Sequence, residues 1–218
     1  MRASVSSIIA ILLTAYLAVP ADAAMQEDVD QAVTIIERFQ QIPEQAIPAA
    51  VMKNAKGLAI MTVTKGGFIF SGRGGTGIVV ARTDKGWSGP SAIGTGGIGF
   101  GFQAGVQISE LVILLNTPEA VNAFSKGGNV TLGGALSVAA GPVGRDAEGS
   151  LTLGAAMYTY SRSQGLFAGV SLEGTVIGTR SETNAAYYGK PVEASEILAG
   201  KVPPPAGAKK LLEVLSKY

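Results

Sequence analysis

Six cations, Lys53, Lys56, Lys65, Arg73, Arg82 and Lys85, lie between residues 53 and 85, where Asp84 is the single acid, and three of them, Lys65, Arg73 and Arg82, belong to the glycine-rich run KGGFIFSGRGGTGIVVAR. Guanidinium groups present a planar fork of donors that matches phosphate oxygens. Glycine neighbours let a ligand approach the backbone. The chemistry this combination suits is recognition of an anionic group, phosphate above all. Lys65, Arg73 and Arg82 are the first candidates for phosphate contacts, with Lys56 and Lys85 beside them. Arg145, after GPVG, and Arg162, after YTYS, are candidates to widen the same site. The alternative for each cation is an ordinary surface role or a pair with a carboxylate such as Glu110 or Glu173.

Most other chemistries fail on residue types. The chain has no cysteine and no histidine, so disulfides, Cys or His nucleophiles and bases, the Ser-His-Asp triad and ordinary zinc or copper sites are excluded. A hard-cation site built from carboxylates stays open, but no acidic cluster resembles a calcium loop, and no metal or other cofactor is expected. Residues 94–99, GTGGIG, match G-x-G-x-x-G, but GFGFQAGVQ continues as a glycine-laden strand where a dinucleotide turn would open a helix. SGRGGTG lacks the Gly-Lys-Ser/Thr ending of a phosphate loop. There is neither a G-x-S-x-G elbow nor an S-x-x-K pair. Glu110, Glu173 and Glu182 leave open a carboxylate-based hydrolase, with nothing in their spacing to pair them.

The formal net charge is +1, which argues against a protein that coats nucleic acid. Its distribution says more. Residues 24–52 carry −4, residues 53–85 carry +5 and residues 86–218 are neutral. Trp87, the only tryptophan, suits core packing better than a membrane interface. Phe68, Phe70, Phe100, Phe102 and Phe167 are read as core, with a lumen for an acyl chain as the alternative.

The elements that must position these groups follow from periodicity. Arg2, the apolar run Ile8–Val19 and Ala21-Asp22-Ala23 read as an export signal cleaved before Ala24, giving a periplasmic or secreted protein that is not a lipoprotein. Residues 24–218 then form one domain. Val29, Val33, Ile36 and Phe39 recur at helical spacing within Gln26–Gln40, with acids opposite. Pro48 opens a second short helix that Gly57 stops. Beyond it, β-branched and aromatic runs punctuated by Lys65-Gly66-Gly67, Asp84-Lys85-Gly86 and Lys126-Gly127-Gly128 predict hairpins. Alternation of Gly97, Gly99 and Gly101 with Ile98, Phe100 and Phe102 leaves one strand face almost bare, as a sharply coiled sheet requires. A helix is predicted at Thr117–Ser125 and others at VEASEILAG and AKKLLEVLSKY. KVPPPAGA, 201–208, reads as a linker. The expected architecture is α+β: a strongly coiled, mainly antiparallel, barrel-like sheet flanked by N-terminal and C-terminal helices.

Several blocks carry a resemblance. AKGLAI (55–60), GFIFSGRGGTGIVVAR (67–82), WSGPSAIGTGGIGFGFQAG (87–105), TLGGALSVAAGPVGR (131–145), YTYSRSQGLFAGVSLEG (158–174) and YYGKPVEASEIL (187–198) resemble the SYLF domain over about 47–200, as an exported, bacterial-type member. The resemblance implies a non-enzymatic module that binds anionic lipid, phosphoinositides in eukaryotic members, and includes an actin-binding yeast member. Eukaryotic members use a basic amphipathic N-terminal helix. The helix here is acidic, so its expected role is to cap the sheet. For an exported form the implied partner is an anionic phospholipid or membrane surface, with actin not expected. The other readings are an envelope scaffold with an unnamed protein partner, an outer-membrane β-barrel and the hydrolase above.

Overall fold

The computed structural model describes residues 20–41, 46–67, 70–100, 105–132, 134, 136–141, 155–165 and 175–218. The export signal up to residue 19, Phe68, Phe102, Arg145, Phe167 and Glu173 lie outside the described residues, as do the side chains of Phe70 and Phe100.

Helix α1 spans Ala21–Gln41, longer at its start than the periodicity predicts. Met25, Val29, Ala32, Val33, Ile35, Ile36 and Phe39 are buried. That arc is wider than one stripe because the helix is covered on two sides, by the sheet and by C-terminal helices. Its outward row, Glu27, Asp30 and Glu37, is exposed and acidic. The helix therefore caps the sheet, as its charge suggested. Helix α2, Ala49–Asn54, follows Pro48 and buries Val51 and Met52.

The sheet is built from β1 (Gly57–Gly67), β2 (Phe70–Thr83), β3 (Gly86–Trp87), β4 (Ser91–Phe100), β5 (Gly105–Leu115), β6 (Asn129–Thr131), β7 (Val138–Ala140), β8 (Met157–Gly165) and β9 (Val176–Thr179). Its order is β6-β9-β4-β2-β1-β5-β8-β7, with β3 paired to β2. Every pairing is antiparallel except β7 with β8. The result is a curled, mixed half-barrel within an α+β fold. Glycine enables the coiling at one place in particular: a Cβ on Gly77 would stand 2.1 Å from the Ile60 carbonyl oxygen and 2.5 Å from the Met61 Cα. Strands β1 and β2 can approach so closely only because that atom is missing.

Alternation along β1 divides two cores. Leu58 and Ile60 join Ile78, Val80, Val112 and Leu114 beneath α1. Ala59, Met61 and Val63 face the other way, with Val79, Ile93, Leu111 and Ile113. That second core is closed by α3 (Pro118–Ser125), whose start is capped by the Thr117 hydroxyl accepting from the Ala120 amide at 3.2 Å, and by α5 (Ala194–Leu198). At this end of the sheet both faces thus pack against protein.

Helix α4, Ser181–Tyr188, was not anticipated. Asn184, fully buried on it, accepts from the Ala92 amide at 2.7 Å and donates to Ser91 Oγ at 2.9 Å, tying the helix to β4. The segment 201–208 is no free linker, because Val202 and Ala208 are buried. It leads into α6, Lys209–Leu215, whose Leu211 and Leu215 complete the core under α1.

Candidate functional site

Lys65 and Arg73 are direct cross-strand partners on β1 and β2, and Arg73 is in turn opposite Gly97 on β4. Direct partners in an antiparallel pair point to one face, with Cβ atoms about 5 Å apart. Here that is the face away from α1. A Cβ on Gly97 would stand 3.1 Å from Arg73 Nε, so the glycine makes room for the guanidinium. Both cations are half-buried, and among the described residues neither has a hydrogen-bond or ion-pair partner. Buried Gln107 lies opposite Lys65 and donates to Ser109 Oγ at 3.3 Å; Ser109 shares a 3.0 Å hydrogen bond with Ser163. Two cations over a glycine, beside a polar cluster, can receive one anionic group.

The other predicted cations among the described residues, Lys56, Lys85, Arg82 and Arg162, are not part of that arrangement. Lys56 and Lys85 are exposed at the opposite end of the β1–β2 pair. Nine strand positions separate Lys56 from Lys65 and Arg73 from Arg82, about 30 Å at the usual rise. The basic run is thus split between two ends of the sheet. Arg82 is engaged structurally: Nε donates to the Ala55 carbonyl at 3.1 Å, and Nη2 to those of Met52 at 3.3 Å and Tyr218 at 3.0 Å. Its guanidinium lies 4.3 Å from the centre of the Trp87 ring. Burial lowers its pKa from the ordinary arginine value. Trp87 in turn donates to the Leu215 carbonyl at 3.0 Å, a packing role and not an interfacial one. Arg162 points to the α1 face, where Nη1 donates to the Arg38 carbonyl at 2.9 Å near the end of that helix.

On that α1 face a polar row crosses the sheet. Arg162, Glu110, Thr62, Thr76 and Gly94 are successive cross-strand partners on β8, β5, β1, β2 and β4. Arg38 of α1 pairs with Glu110, so Glu110 does not serve the predicted basic cluster. At the other end of α1, Asp28 accepts from Thr76 Oγ1 at 2.6 Å and from Arg180 Nη1 at 2.8 Å. Burial raises the Asp28 pKa, against the lowering effects of Thr76 and Arg180. Arg180, missed in the sequence, is separated from Asp28 by 152 positions, and no local pattern announces their meeting. Tyr187 donates to Gln26 at 3.1 Å, and burial pushes its phenol up to about 12.

Among the described residues there is no group of three metal-ligating side chains and no helix long and apolar enough to cross a membrane. The class defined by fold and site is a binding domain: an open coiled sheet with a cationic pair on one face and a helix-capped polar row on the other. A family profile described as "Ysc84: Las17-binding protein actin regulator" matches residues 96–218. The chain is 49% identical over 207 residues to SH3 domain-containing YSC84-like protein 1 of Homo sapiens, covering 91% of this chain and 60% of that one. It is 51% identical over 178 residues to SH3 domain-containing protein PJ696.02 of Schizosaccharomyces pombe, covering 79% and 41%. It is 49% identical over 177 residues to LAS seventeen-binding protein 3 of Saccharomyces cerevisiae, covering 79% and 39%. The chain belongs to the Ysc84, or SYLF, family, a family of binding and regulatory domains. It spans about 60% of the length of the vertebrate relatives it matches, and less of the yeast ones.

Proposed function

We propose that this chain is a non-catalytic binding module that takes an anionic phospholipid headgroup at Lys65 and Arg73, in an exported form released by cleavage before Ala24. The observation that carries the reading is the adjacent, half-buried pair without a carboxylate partner among the described residues. Each cation near an anionic surface contributes about 1 kcal/mol, so two give roughly a 30-fold preference, readily screened by salt. The absence of histidine and cysteine, and the engagement of Glu110 by Arg38, support a role without turnover.

Flotation of the purified chain with vesicles of rising phosphatidylglycerol content tests it: binding must rise with anionic lipid and fall with salt. Equal binding to neutral vesicles, or none to any, contradicts it. N-terminal sequencing of the secreted product must begin at Ala24 if the export reading holds. A second reading, a protein partner of the Las17 or actin-regulating kind, is favoured by the names of the family and its yeast member. Pull-down of Las17 by the chain in the absence of lipid supports that alternative.

A further inference from the structure

The α1 face of the sheet carries a second cleft, chemically unlike the cationic pair. Helix α1 covers the polar row Glu110-Thr62-Thr76, and the next row outward, Ile108-Thr64-Gly74-Gly96, runs alongside it uncovered. A Cβ on Gly74 or on Gly96 would meet nothing within 4 Å, so the floor is bare backbone. One cavity of about 410 Å³ lies between this floor and α1, lined by Glu27, Asp28, Gln31, Thr62, Thr64 and Arg180. A second of about 480 Å³ continues it over Gly94, Gly96 and Gly178 toward Asn129 and Val176. The two share Gly75, Thr76 and Arg180 and span β1, β2, β4, β9 and β6, roughly 19 Å at ordinary strand spacing.

The lining selects for hydroxyl-rich chemistry. It mixes carboxylate and amide acceptors with hydroxyl, amide and guanidinium donors, and a sugar hydroxyl both donates and accepts. Two carboxylates face one guanidinium, so phosphate is disfavoured, in contrast to the Lys65 face. Asp28 and Arg180 hold one another in place at 2.8 Å and Thr76 fixes the second Asp28 oxygen, which pre-organises the central groups. At the inner end Thr62 is a lining residue, but its Oγ1 is buried without a partner among the described residues, and buried Glu110, opposite it, has Oε2 likewise unsatisfied.

We propose that this trough binds a neutral, hydroxyl-rich ligand, a short oligosaccharide, through Asp28, Glu27, Gln31 and Arg180 over the bare floor of Gly74 and Gly96. The inference is independent of lipid binding, which uses the other face. The test is calorimetric titration of the whole chain with maltotriose, cellotriose and chitotriose, alongside glucose 6-phosphate. Gly74→Val and Gly96→Val place side chains in the trough where the fold leaves open space, so both variants should fold, verified by an unchanged thermal transition, and both should still float with anionic vesicles. The expected result is saturable binding of at least one neutral trisaccharide, weakened tenfold or more by either variant and by Arg180→Gln. Binding of none of the three, tighter binding of the sugar phosphate, or affinity unchanged in both folded glycine variants overturns the proposal.

Discussion

Arg82→Ala separates a structural arginine from a ligand-binding one. Its guanidinium donates three hydrogen bonds, to carbonyls of Met52, Ala55 and Tyr218, and stacks on Trp87 at 4.3 Å. Hydrogen bonds of this kind contribute about 1 kcal/mol each at a half-buried site, and the stacking adds roughly 0.5–1 kcal/mol. Water can replace part of this on the exposed side, so the loss should be about 3 kcal/mol. For a domain near 200 residues that lowers Tm by roughly 6–12 °C. Urea unfolding of Arg82→Ala beside Lys65→Ala and Arg73→Ala checks it. The first should shift its midpoint strongly, and the other two by less than about 0.5 kcal/mol, since they have no partner among the described residues. Arg82→Ala should also float with anionic vesicles like the parent when assayed well below its transition. An unaltered midpoint together with lost vesicle binding would refute this reasoning and return Arg82 to the site.

Gly77→Ala should destabilise by about 3 kcal/mol or more in chemical unfolding, because its Cβ would stand 2.1 Å from a backbone oxygen, whereas Gly72→Ala, with nothing within 4 Å, should be neutral or stabilise by about 0.4–1 kcal/mol. Arg38→Ala strands the buried Glu110 carboxylate. Because 39% of the Arg38 side chain is exposed, the cost should be about 2–3 kcal/mol, and Glu110→Gln in the same chain should recover part of it in a double-mutant cycle. Burial raises the Asp28 pKa above 3.8, so the native state holds that proton more tightly than the unfolded chain and stability from this group falls as pH rises through the native value. Asp28→Asn removes that slope: its stability relative to the parent should improve as pH rises above 3.8, measured by denaturant midpoints.

The elements were legible where a single period dominated. Val29, Val33, Ile36 and Phe39 announced α1, and Pro118 near the start, with Ala120, Val121 and Phe124 on one face, announced α3. Helix α4 was hidden because its anchoring residue, Asn184, is polar and buried through two hydrogen bonds to β4, a tertiary fact with no local periodicity. The candidate site was half legible. The pattern KGGFIFSGRGG implied a hairpin, and register then paired Lys65 with Arg73. Counting Arg82 and Lys56 into the same surface ignored the length of the strands, which carries them to the other end of the sheet. Arg162 was misplaced for a different reason, since only the pleat of β8 decides which face it takes. The Asp28–Arg180 pair depends on contacts between distant segments that no spacing in the chain records.

The most direct measurement compares two double variants by vesicle flotation, Lys65→Gln with Arg73→Gln and Lys56→Gln with Lys85→Gln, at fixed anionic lipid and low salt. Each removes the same charge, so a purely diffuse attraction would weaken both equally. The account predicts that the first pair loses binding while the second keeps most of it. Parent-like binding by the first pair, or equal loss in both, would contradict the assignment of the site to Lys65 and Arg73.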